Sequence, residues 1–312
     1  MQLVRLIYIV FFITFTAHSS DIITIATGST SGLYYPSGGA ICRIFNLSSN
    51  GETKCIVEST PGSEYNLNAV EGGLNNFAFV QADEFFSYLQ MKQKDGKESG
   101  VQIVFPLYTE TFVMIASKDS GINTVEDIKG KRINIGVDGS GVRNFTSSII
   151  KHLGTKSTDF KSIFTENQSS IEHFICNNII DASLVVSGQP NSMIKNLIEN
   201  CGAKIIPFSQ DFIKSIMQQN SFYTVSEIPG GMYFGYNQNI QTVGTKALLI
   251  TSKYTNDEQI YNMVGYIIQN FGSFKQYSPV TERMTVEALN ATLPHFPVHP
   301  SVIKAFRENG IN

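Results

Sequence analysis

Residues 22–26 (IITIA) form a short β-rich run, and 27–32 (TGSTSG) a polar loop. Residues 34–46 can then run as a helix. Strand, Gly/Ser/Thr loop, helix is the opening of an α/β unit, and such a unit must stack its strands side by side to bury their apolar faces. The unit recurs at once: strand 54–58 (KCIVE), loop 59–63 (STPGS), helix 64–71, strand 77–80 (FAFV), then Gln81, Ala82 and Asp83. Three strands ending in polar loops with helices between them predict a parallel sheet, whose ligands gather outside the carboxyl ends of its strands.

After a polar, loop-like stretch at 91–100, the pattern starts again. Residues 112–117 read as a strand, 124–128 as a short helix capped by Thr124, and 132–137 (RINIGV) as a strand running into Asp138-Gly139-Ser140-Gly141 and a helix over 142–153. Helix 171–177, strand 182–186 ending in Ser187-Gly188-Gln189-Pro190, helix 192–200 and strand 204–207 complete the second set. Strand 243–252 returns to the first lobe, and the tail is helical over 257–274 and 298–308. Changeovers near 108–117 and 229–243 make the middle segment an insertion. The expected lobes are 20–110 with 240–312, and 111–239. Two lobes joined by two strands form a hinged clamp with its site in the cleft.

The 312 residues are enough for two domains, and 42% apolar with 16% charged residues is a globular composition. With 23 basic against 26 acidic residues and no basic stretch, nucleic acid is not an expected partner. Arg5, the apolar run 6–15 and the small residues Ala17 and Ser19 predict a secretory signal peptide over 1–19, with an uncleaved N-terminal anchor as the competing reading. The run is too short for a membrane span, which needs about 20 residues. No later stretch is long enough either, so an exported, soluble mature chain is expected.

Export changes the meaning of Cys42, Cys55, Cys176 and Cys201, because an even count in an oxidising compartment predicts disulfides. Three pairings are possible. The local one, Cys42–Cys55 with Cys176–Cys201, closes short loops within separate stretches. Zinc ligation and buried free thiols are the competing readings, although no CxxC spacing is present.

Candidate chemistry centres on helix starts. The loop from Gly28 to Gly32, with Ser29, Thr30 and Ser31, places backbone N–H groups and hydroxyls where an anion such as a carboxylate can bind. It is neither a Walker loop nor a dinucleotide fingerprint. Asp138-Gly139-Ser140-Gly141 repeats the arrangement, and Arg143 in the first turn behind it calls for an acidic partner, either a ligand carboxylate or Asp138. His295 and His299 lie among Pro294, Pro297 and Pro300, which forbid the helix that a metal pair would need. Nothing in the sequence asks for a cofactor.

Residues 25–40 (IATGSTSGLYYPSGGA) resemble the opening motif of the TAXI family, the solute receptors of tripartite ATP-independent periplasmic (TRAP) transporters. Residues 58–63, 79–83, 129–136, 139–141, 188–190 and 242–249 follow in family order. The resemblance implies a two-lobed periplasmic binding fold. It also implies a small organic anion or amino acid, glutamate-like, as ligand, and delivery to TRAP membrane permease subunits. It places Thr30, Ser31, Tyr34, Thr60, Ser63 and Gln81 at the ligand from the first lobe, and Ser140, Gly141, Arg143 and Gln189 from the second. Family members often carry paired cysteines, which supports the local pairing. Two positions depart from the pattern: Ala82 stands for the usual Ser, and Gln189 for the usual His. These departures leave room for an exported interaction protein that keeps the fold without transport. A hydrolase using Ser140 is the remaining alternative, although Asp138 stands where a nucleophile elbow needs Gly.

Overall fold

The computed structural model describes residues 21–311, apart from 52, 219, 220, 292, 294 and 295. The expected leader, with His18, and the histidine at 295 lie outside the described residues. In chain order the strands are β1 (Asp21–Ala26), β2 (Thr53–Glu58), β3 (Phe77–Gln81), β4 (Val101–Ala116), β5 (Arg132–Asn134), β6 (Ser162–Phe164), β7 (Ala182–Ser187), β8 (Lys204–Ile206), β9 (Thr224–Ile228) and β10 (Ile240–Ser252). The helices are α1 (Tyr34–Ser48), α2 (Ser63–Glu71), α3 (Ala82–Lys94), α4 (Gly141–His152), α5 (Ile171–Cys176), α6 (Ser192–Cys201), α7 (Gln210–Met217), α8 (Asp257–Gln269), α9 (Phe271–Tyr277), α10 (Val286–Leu289) and α11 (Pro300–Glu308).

The class is α/β, as expected. Strands follow the order β2-β1-β3-β10-β4-β7-β5-β6, with β8 also on β4 and β9 also on β10. Alternation along β3 serves both faces of the sheet. Phe77 and Phe79 pack with Ile41 of α1, Met263 of α8 and Phe306 of α11. Ala78 and Val80 pack on the other side with Val70 of α2 and Phe85 of α3. Strand β4 repeats this further along the chain: Phe112 and Met114 face Phe145 of α4 and Phe212 of α7. Val113 and Ile115 face Ile175 of α5 and Leu197 of α6. Each fully buried Phe contributes roughly 1.5–3 kcal/mol.

The three strands expected to run parallel do so, while the sheet as a whole is mixed. β1 is parallel to β2 and β3, and β5 to β6 and β7, but β10 runs antiparallel to both β3 and β4. The reason is connectivity. β4 carries the chain out of one lobe and β10 carries it back, so the two crossings must oppose each other. Both are long, 16 and 13 residues, and pair from Ser252 opposite Val101 to Gly244 opposite Thr111.

Both disulfides of the local pairing are present, Cys42–Cys55 and Cys176–Cys201. The first joins α1 to β2 and the second joins the C-terminal ends of α5 and α6, so neither the zinc nor the free-thiol reading holds for these residues. The stretch 91–100 is a loop only from Asp95 onward, because α3 extends to Lys94. Its buried Phe85 and Tyr88 are three apart, the helical spacing, while its polar end faces solvent.

Candidate functional site

Three helix starts converge on a cleft between the lobes. Gly28, Ser29, Gly32, Leu33 and Tyr34 line it at the head of α1, and Pro61, Gly62 and Ser63 at the head of α2. Val137, Ser140, Gly141 and Val142 line it at the head of α4. Each helix is eight residues or longer and leaves its first N–H groups without helical partners. Ser140 caps α4, its Oγ accepting from Arg143 N at 3.2 Å and donating to the Val137 carbonyl at 2.7 Å. Among the described residues, no His or carboxylate is hydrogen-bonded to that hydroxyl.

The lobes meet over the cleft. Tyr65 N donates to Gly139 O at 3.0 Å, and Asn144 Nδ2 donates to Glu84 Oε2 at 2.7 Å. Gln81 ends β3 with its side chain 3% exposed, and its Nε2 is buried without a partner. An amide N–H2 buried this way costs about 1–3 kcal/mol unless something else accepts from it.

The floor carries Glu110, 4% exposed, on β4 where that strand passes between lobes. Tyr34 Oη donates to Glu110 Oε2 at 2.5 Å, and the Tyr34 ring stacks on Phe79 at 5.1 Å. Burial pushes the Glu110 carboxyl up to about 8; the Tyr34 hydrogen bond pulls it down and the Asp83 charge pushes it further up. Burial, then the Glu110 charge, raises the Tyr34 hydroxyl well above its ordinary value. Two more acids begin α3. Burial raises Asp83 to about 6, against hydrogen bonds with Thr245 and Tyr223. Burial, then the Asp83 charge, raises Glu84 to about 8, against its bond to Asn144. The second lobe adds Asn134, which donates to Ser183 Oγ at 3.1 Å and accepts from Glu166 N at 2.7 Å. It thereby holds the loop that presents Glu166, Asn167 and Gln168 to the cleft.

Of the residues singled out from sequence, Ser29, Tyr34, Ser63, Gln81, Ser140 and Gly141 line this cleft together. The other five do not line it. Thr30 is exposed at the loop tip. Ser31 Oγ pairs with Ser29 Oγ at 2.9 Å. Thr60 Oγ1 is bonded to Asn66 Oδ1 at 2.7 Å inside the lobe. Arg143 turns its guanidinium to the Gly136 carbonyl, 3.0 Å, and to Asp138, 3.1 Å. Gln189 donates to Thr111 Oγ1 at 2.7 Å and accepts from Tyr233 Oη. Glu110, Asn134 and the 166–168 loop were missed. The single carboxylate in the largely apolar run 101–116 is the sequence signal for Glu110.

A family profile matches residues 25–310, nearly the whole described chain. The chain belongs to the NMT1-like family. The fold of this NMT1-like protein also recurs in solved structures of low identity. A protein from Bordetella bronchiseptica RB50 is 15% identical at TM-score 0.55, over 93% of this chain and 98% of that one. A binding protein component of an ABC phosphonate transporter from Pseudomonas aeruginosa is 11% identical at TM-score 0.54, over 84% and 79%. An ancestral arginine-binding protein bound to arginine is 12% identical at TM-score 0.50, over 83% and 97%. The two-lobed periplasmic binding fold is thus shared.

Proposed function

We propose that this NMT1-like protein is an exported solute receptor of a membrane transport system, and not an enzyme. After removal of 1–19, lobes 20–110 with 240–312 and 111–239 close on a small carboxylate or amino acid. The carrying observation is the buried, unpartnered Gln81 Nε2 among three helix starts in a cleft that both lobes line. That is an acceptor-seeking site waiting for an anionic group. Two proteins of this fold, a phosphonate-transporter component and an arginine-binding protein, support the class. The TAXI-type motifs support the finer reading: a glutamate-like ligand handed to a TRAP permease in the periplasm. Cleft closure shifts the receptor toward the ligand-holding state by the contacts that the second lobe adds.

A thermal-shift screen of amino acids and small carboxylates tests this. A ligand at 100 times its Kd adds about 2.7 kcal/mol, so a clear rise with one compound class is expected. A flat screen on folded protein overturns the receptor reading.

A further inference from the structure

Among the described residues lining the cleft, the acidic ones are Glu110 and Glu166, and none is Lys, Arg or His. Arg143, the nearest cation in sequence to the α4 start, is held by Gly136 O and Asp138. Anionic groups of a ligand therefore meet only neutral donors, the helix starts and Gln81 Nε2.

Glu110 has the opposite need. A buried carboxyl is costly unless paired or hydrogen-bonded. Oε2 receives Tyr34 Oη, while no donor among the described residues is bonded to Oε1. Gln81 and Glu110 flank β10 from its two sides. Gln81 is opposite Ala247 and Glu110 opposite Thr245, two positions that share a face of the strand. Two strand spacings and a two-residue offset separate their backbones by roughly 10–12 Å, so both side chains reach one small ligand.

We infer that Glu110 is the specificity-determining residue of the cleft: its Oε1 receives the ammonium group of a ligand whose carboxylate is held by the helix starts and Gln81. The cleft thereby selects zwitterionic amino acids over carboxylates that lack the amine. This rests on the solute-receptor reading. The titratable groups facing Glu110 are Tyr34 from α1, Tyr108 on β4 and Asp83 at the head of α3, none of them cationic. Burial keeps the Glu110 carboxyl largely protonated at pH 7. An arriving ammonium ionises it, and the carboxyl proton passes to the buffer.

Isothermal titration of the purified protein at pH 7 tests this with paired probes: L-glutamate against glutarate, and L-alanine against propionate. Two buffers of different ionisation heat report the proton. The amino member of a pair is expected to bind roughly 10- to 100-fold tighter, with proton release. Glu110→Gln, which can still accept from Tyr34, is expected to erase that preference while circular dichroism stays unchanged. If that variant does not fold, the paired affinities and proton count of the unaltered protein decide alone. Equal binding of the deaminated acids, or binding without proton release, overturns the inference and leaves the receptor reading standing. Failure of every amino acid and carboxylate to bind overturns both.

Discussion

Gln81 and Gly141 meet across the cleft so closely that a Cβ at residue 141 would overlap Gln81 Oε1. The amide is the movable partner, so a methyl there displaces Gln81 rather than the helix. Gly141→Ala is expected to lower affinity for a ligand found by thermal shift about tenfold, with a melting temperature near that of the unaltered protein. Calorimetry and a melting curve separate the two effects. A melting point lowered as by a core truncation would mean that the contact holds the fold rather than the ligand.

Stability should fall with rising pH. Glu84 and Glu110, ordinarily near 4.5, rise to about 8 in the fold, and Asp83 rises to about 6. Between these values the folded protein keeps protons that the unfolded chain has lost. The stabilisation is therefore full below the unfolded values and gone above pH 8, at up to about 1.4 kcal/mol per group per pH unit. His299, lowered from 6.5 by burial, opposes this only below that value. The melting temperature is thus expected to drop from pH 6.5 to 8, and Glu110→Gln to flatten the drop. A rising curve in that window would contradict the buried acids.

The Cys42–Cys55 bridge spans 13 positions, which in the chain-entropy account stabilises by about 3 kcal/mol. Replacing both residues with Ser should lower the melting temperature by roughly 6–12 °C. Scanning calorimetry with and without reductant checks it. The double variant should be insensitive to reduction of this bond.

Arg143→Ala should be mild. Its partner Asp138 is 88% exposed, and such ion pairs contribute about 0–1 kcal/mol. Affinity for an acidic ligand should change less than threefold by titration. A tenfold loss would return the guanidinium to the ligand.

The two-lobed α/β fold is legible because its signals are local. IITIA, KCIVE and FAFV carry strand residues, and the Gly/Ser/Thr loops after β1 and β2 mark where helices begin. The edge strand β9 and helix α7 were not read. β9 is mostly exposed and lacks alternation. The loop motifs located the six cleft-lining residues, yet the same motifs carried Thr30, exposed at the loop tip, and Thr60 and Gln189, whose side chains make interior bonds.

Sequence by itself determined the α/β class, two crossings between lobes and four cysteines with a short-range pairing to hand. Only the tertiary structure decided that the crossings are antiparallel, and that Glu110 lies beneath Tyr34, 76 positions away. It alone brought Gln81 against Gly141 and turned Arg143 aside. The reason is range. Strand and helix patterns repeat every two to four residues and are written in neighbours. The charge of a cleft is a sum over distant elements that meet only when the sheet is assembled.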